Sequence, residues 1–240
     1  MNTDKRIIPK VLVACEESQT VCTAFRARGF EAYSCDILEP SGGHPEWHIL
    51  GDVLPILNGN CAFRTMDGVE HGVVGDWDLI IAHPPCTYLS NAGACRLYPK
   101  KGQLDMERYQ KGLEGKEFFL RFMNTTCPHV CIENPVSSKV FEMPQHSQEI
   151  QPYQFDHFGE HPYTKKTRLW LIGLPQLRYT TPNEQPKCNY VPAGTGRKDR
   201  SKYGAAKRGD DAKNRAKFFR GIADAMASQW GDYILGKEIT

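Results

Sequence analysis

Short apolar, β-prone runs recur along this chain, and each stops abruptly at a polar residue, a glycine or a proline. Residues 7–14 (Ile-Ile-Pro-Lys-Val-Leu-Val-Ala) predict a first buried strand. Residues 20–29 predict a helix closed by Gly29, a residue suited to the left-handed turn after a helix. Residues 30–35, 48–50 and 77–82 predict the next three strands, followed by Asp36, Gly51-Asp52 and His83-Pro84-Pro85. Residues 106–124 have helical spacing, with Tyr109, Leu113, Phe119, Leu120 and Phe122 available to cover a sheet; Gly112 and Gly115 weigh against it. A fifth strand is expected over 129–133, two more over 151–158 and 168–173, and an amphipathic closing helix over 218–233. The segments 39–47 and 87–104 are rich in glycine, proline and small polar residues and are read as loops.

Strands alternating with helices imply an α/β fold with a mainly parallel, doubly wound sheet and helices on both faces. In such a sheet the carboxyl ends share one rim, and ligands bind there. Polar residues cluster at those ends: Glu16 and Glu17, Asp36, Asp52, Cys86 and Glu133. The chain of 240 residues suits one core over 1–173, completed by a helical segment over 215–240, with a small segment over 174–214 between them. No apolar run approaches the roughly 20 residues of a membrane span, and the opening residues lack a secretory pattern. A cytoplasmic protein without a membrane partner is expected.

The formal net charge of +2 conceals an asymmetry. Between Lys187 and Arg220, eleven basic residues face three acids, a local net charge of +8, which leaves −6 elsewhere. A basic stretch interspersed with Gly, Ser and Tyr suits a phosphate backbone; a solvated loop is the alternative. The nine scattered cysteines are expected to be free thiols. Cys127 and Cys131 with His129 between them suggest half a metal site, but buried small residues on a strand explain them better, and no metal is expected.

The segment Asp78-Leu79-Ile80-Ile81-Ala82-His83-Pro84-Pro85-Cys86 carries the most chemical information. Two prolines end the strand, because proline cannot donate to its ladder. A thiol then stands at the sheet edge. Cys86 after the fourth strand and Glu133 after the fifth suggest a nucleophile beside a proton donor or acceptor. Asp36 and Asp52, on consecutive strand ends, are candidates for the ribose and base of a nucleotide-like cofactor. Alternation along a strand turns Lys166 and Arg168 to one side, either into the cleft or out to solvent on an edge strand. His83 precedes a proline and is expected to point away from the thiol, which weakens a thiol hydrolase reading.

Four pieces in order resemble the DNA cytosine-5 methyltransferase family over roughly residues 8–175. Pro84-Pro85-Cys86 with Ser90 is similar to the family's Pro-Pro-Cys-Gln-x-Phe-Ser, Glu133-Asn134-Pro135 to Glu-Asn-Val, Gly51-Asp52-Val53 to Gly-Asp-Ile, and Lys166-x-Arg168 to Arg-x-Arg. The resemblance implies a compact, phage-like member with a Rossmann-like, S-adenosyl-L-methionine-dependent fold. It implies double-stranded DNA with a flipped cytosine as partner, Cys86 as nucleophile toward C6, Glu133 at the N3 edge, and Arg168 with Lys166 holding the base. Asp36 would hold the cofactor's ribose and Asp52 its adenine, with Ile37, Val53 and Pro84 beside them, Ser18 near the methionine carboxylate and Glu16 near its amino group. Ser90, Arg96, Arg197, Lys198, Arg200 and Lys202 would contact nucleic acid, and the 87–104 loop would close over the base.

The chain departs from the pattern in three places. The glycine-rich first motif reads Ala14-Cys15-Glu16-Glu17-Ser18-Gln19, the last motif's Gly-Asn-Ala reads Gly221-Ile222-Ala223, and Thr87 replaces the glutamine after the nucleophile. The recognition region is also short, which implies backbone contact over dense base reading. A same-fold enzyme modifying cytosine in RNA or a free nucleotide, and a non-catalytic DNA-binding relative, remain alternatives.

Overall fold

The computed structural model describes residues 8–94, 96–189 and 218–237. Its centre is a seven-stranded sheet in the order β3-β2-β1-β6-β7-β10-β8. The strands are β1 (Lys10–Ala14), β2 (Glu31–Asp36), β3 (His48–Leu50), β6 (Leu79–Ala82), β7 (Val130–Pro135), β8 (Gln148–Ile150) and β10 (Thr167–Ile172). All neighbours are parallel except β10, which runs antiparallel to both β7 and β8. This is the expected fold class: a Rossmann-like, mainly parallel α/β sheet with helices on both faces. The chain winds outward from β1 to β3 and then returns to place β6 on the other side of β1. The switch point between β1 and β6 opens a crevice at their carboxyl ends.

Two apolar layers sandwich the sheet. On one face α1 (Thr20–Ala27) and the closing helix (Arg220–Ile234) cover Val11, Val13, Leu79, Ile81, Cys131 and Leu169. On the other, α3 (Met106–Met123) brings Phe119 and Phe122 onto Leu12, Ile80, Ile132 and Trp170. Fully buried Trp77, Trp170 and Trp230 supply the largest side chains. Burying such side chains contributes roughly 1.5–3 kcal/mol each. Cys127 and Cys131 are buried parts of this core, and Cys127 Sγ donates to the Trp77 carbonyl. Among the described residues, no helix is long and apolar enough to cross a membrane.

Several sequence expectations change. A hairpin, β4 (Cys61–Arg64) and β5 (Glu70–Val73), stands where no element was expected; the Asp67-Gly68 turn was its only clear signal. Residues 151–158 are not a strand. Pro152 opens a 3-10 turn, Pro152–Phe155, and Gln151 and Gln154 cap it reciprocally; the strand lies earlier, in β8. The glycines in α3 do not break the helix. Gly112 lies so close to the Phe141 ring that a Cβ would collide with it. The 87–104 segment is pinned rather than loose. It contains the one-turn α2 (Asn91–Ala94), and buried Leu89 and Leu97 pack with Phe141. Two short strands, β9 (Tyr163–Thr164) and β11 (Cys188–Asn189), pair outside the main sheet. After β10 the chain packs onto the core: Leu177 is buried, and Gln229 of the closing helix exchanges two hydrogen bonds with the Arg178 backbone.

Candidate active site

The β6 end carries the thiol. The His83 N–H donates to the Ala14 carbonyl at 2.9 Å, and the chain then leaves the sheet through buried Pro84. Buried Asn134, on neighbouring β7, donates from Nδ2 to the Pro84 carbonyl at 2.9 Å and fixes that exit. The Ser90 N–H closes the next turn onto the Cys86 carbonyl at 2.9 Å. Cys86 is therefore held half-buried at the rim by backbone bonds on both sides.

Three other groups share its environment. Burial pushes the Cys86 thiol up, the Glu133 carboxylate pushes it further, and the Lys165 ammonium opposes both. Burial holds Lys165 below the ordinary lysine value, against the pull of Glu133 and Cys86. Glu133 Oε2 lies 3.1 Å from His83 Nδ1, and the two side chains are only 17% and 12% exposed. A thiol, a carboxylate, an ammonium and an imidazole thus meet where β6, β7 and the approach to β10 end.

Lys165 corrects the expectation placed on Lys166 and Arg168. Those two do share a side, but both turn to Glu149 of β8, at 2.9 Å and 3.5 Å. Lys166 is 61% exposed, and neither neighbours the thiol electrostatically. The reason lies in the register. Leu169 pairs with Glu133, so residues of its parity lie on the Glu133 side, and Arg168 pairs with Asn134 on the other. Lys165 has the right parity. His83 was the second missed residue. Ala82 pairs with Ile132, so His83 and Glu133 are lateral neighbours one step beyond the paired strands. A known register would have found both.

The β1–β2–β3 side differs. Glu16, expected at a cofactor amino group, is instead buried and caps α1: its oxygens accept from the Val21 and Cys22 amides at 2.6 Å and 3.1 Å. Burial pushes its carboxyl up. The glycine-free turn nonetheless adopts glycine-like backbone, with Cys15 at φ 58° and Gln19 at φ 57°. Gln19 is wholly buried, with its amide bonded to both the N–H and the carbonyl of His44. That bond ties the 39–47 segment against the turn, and Gly42 leaves no room there for a Cβ, which would stand 2.6 Å from Gln19 Cβ. Ser18 Oγ lies 3.0 Å from Thr20 Oγ1.

Asp36 and Asp52 both neighbour Cys15 electrostatically, so the ends of β1, β2 and β3 converge. Each acid uses one oxygen locally: Asp36 Oδ1 accepts from Leu38 N at 2.9 Å, and Asp52 Oδ1 from Leu54 N at 3.0 Å. Burial pushes the Asp36 carboxyl up. Ile37 is 77% exposed, an unusual state for isoleucine beside a crevice, whereas Val53 is buried. A cleft of about 670 Å³ runs from Ser18 and Thr20 past His161 and Phe218 to Lys165.

Of the nucleic-acid candidates, Ser90 is buried and bridges Ser137; its Oγ accepts from Gly93 N, so it supports the Cys86 turn instead of facing a partner. Arg96 is exposed on the surface. Arg197, Lys198, Arg200 and Lys202 lie outside the described residues. Among the described residues no cluster of metal-ligating side chains occurs.

No family model matches the sequence, and no curated protein does. Among solved structures, the chain is similar to the Entamoeba histolytica methyltransferase EhMeth, at 12% identity and a TM-score of 0.39. The similarity covers 72% of this chain and 57% of that one, so the chain spans little more than half the length of the protein it matches.

Proposed function

We propose that this chain is an S-adenosyl-L-methionine-dependent methyltransferase that modifies cytosine at C5 in double-stranded DNA. The observation that carries the reading is the grouping of Cys86, Glu133 and Lys165 at one sheet edge, each within electrostatic reach of the others. A non-catalytic binder has no use for a half-buried ammonium within electrostatic reach of a thiol and a carboxylate.

The rim of β1–β3 fits the cofactor. The left-handed residues Cys15 and Gln19 supply the turn that glycines would otherwise make, Asp36 has acceptor capacity for ribose hydroxyls, and exposed Ile37 offers an apolar face to adenine. When bound, S-adenosyl-L-methionine supplies an electrophilic methyl group. Cytosine must leave the base stack to reach Cys86. The Cys86 thiolate adds to C6, forming a C–S bond as the ring electrons shift toward C5. Lys165 favours the thiolate before attack and counters negative charge on the ring afterwards. Glu133 holds the N3 edge and stabilises its protonation. Once C5 has taken the methyl group, with the donor leaving as its neutral thioether, loss of the C5 proton to a base and elimination of the Cys86 thiolate would restore the aromatic ring. Basic residues between Lys187 and Arg220 supply phosphate contacts.

The test is incubation with labelled cofactor and duplex DNA. Label on cytosine C5, lost in Cys86→Ala, supports the reading, as does a covalent adduct at Cys86 with a fluorinated-cytosine duplex. Transfer to RNA or dCMP but not duplex DNA would move the substrate to the alternative class. DNA affinity without transfer to any nucleic acid would make the chain a binder. Neutralising Arg197, Lys198 and Arg200 together should lower the slope of log affinity against log salt by about 3.

A further inference from the structure

We infer that His83 is the positioning residue of Glu133. It anchors one carboxyl oxygen, so that the other faces the base, and it stabilises the carboxylate that forms when Glu133 gives up a proton. This deepens the proposed reading and rests on it.

Four observations support it. His83 is held by its own backbone: its N–H is bonded to Ala14, and prolines follow at 84 and 85. Its ring packs 4.7 Å from the Phe218 ring. Its Nδ1 lies 3.1 Å from Glu133 Oε2 in a nearly closed pocket. Its Nε2 is buried with no hydrogen-bond partner among the described residues. An orphaned lone pair costs less here than an orphaned N–H, so the proton belongs on Nδ1, directed at Oε2.

The charged groups around the pair come from each neighbouring element. Glu16 faces His83 from the turn after β1, while Cys86 and Lys165 face Glu133 from the ends of β6 and β9. With Oε2 held, Oε1 carries the mobile proton. As the Cys86–C6 bond forms, that proton passes from Oε1 to cytosine N3, and Glu133 becomes a carboxylate. The Nδ1–H to Oε2 bond then becomes charge-assisted and strengthens. Its gain appears only as the reaction proceeds, which is where stabilisation raises kcat.

His83→Asn keeps a donor near the Nδ1 position, and His83→Phe removes it. Steady-state methyl transfer should show kcat down by about 10²-fold in His83→Phe with KM little changed. His83→Asn should recover at least a tenth of wild-type kcat. Equal kcat in all three proteins would overturn the inference. Nitrogen-15 spectra of the free wild-type protein provide a readout independent of turnover and of His83→Phe folding. They should show His83 protonated on Nδ1, and that signature should be lost in Glu133→Leu. Without that signature the inference fails even if cytosine is methylated; with it, absence of methyl transfer in the wild type counts against the proposed function alone.

Discussion

The two sides of the crevice are built on opposite electrostatic plans. On the β6–β7–β10 side, His83 bonds Glu133 at 3.1 Å, and Lys165 offsets electrostatically what burial and Glu133 impose on Cys86. On the β1–β2–β3 side, Asp36 and Asp52 use one oxygen each in a local turn, and Ile37 stands out to solvent. The first side pairs most of its charged groups within the protein and leaves His83 Nε2 without a hydrogen-bond partner among the described residues. The second presents acceptors and apolar surface that a ligand would complete. Buried charge is tolerated only when paired, so the internally paired side is where an altered side chain should be felt most.

The largest break in that comparison is Cys86→Ala. It should lower methyl transfer by at least about 10⁴-fold while leaving the affinity for S-adenosyl-L-methionine unchanged, as read by calorimetry. An equal loss of both would merge the two sides into one unit. Lys165→Met should cost about 10²-fold in rate. Its acid limb should also move to higher pH, because the ammonium is what opposes burial and Glu133 at the thiol; Arg168→Met should shift neither limb. A pH–rate series on the two variants tells whether parity along the strand chose the right cation.

Asp36→Asn sharpens the contrast from the other side. It should weaken cofactor binding about tenfold, roughly the worth of one charge-assisted hydrogen bond, while Cys86 alkylation rates stay as in the wild type. The smallest effect belongs to Glu16→Gln. Burial raises the folded-state value of Glu16 above its ordinary 4.5. Its contribution to stability is therefore complete below pH 4.5 and is lost as pH rises through the higher folded value. Melting temperatures at pH 5 and pH 8 should differ less in Glu16→Gln than in the wild type.

Much of this molecule was written in local pattern. Apolar runs bounded by proline and glycine located β1, β2, β3, β6 and β7, and the polar residues after them marked the carboxyl-end rim, because strand termination is a local property of side chains and backbone donors. Cys86 and Glu133 were legible for that reason. The hairpin of β4 and β5 was not, since Cys-Ala-Phe-Arg and Glu-His-Gly-Val form no apolar run and carry weak periodicity. The turn at Pro152 was misread because its apolar residues suit either a strand or a helical turn, and the reciprocal Gln151–Gln154 cap decides between them.

The partners within the site needed three dimensions. Lys165 and Lys166 are adjacent and chemically identical, yet in the approach to β10 one comes within electrostatic reach of Glu133 and the other bonds Glu149. His83 met Glu133 because β6 and β7 lie side by side in a known register, across a sequence separation of 50 residues. Glu16 looked like a ligand until α1 claimed both of its oxygens. Sequence by itself determined which residues end the strands; the sheet decided which of them touch. A strand has only two faces, and a shift of one residue exchanges them.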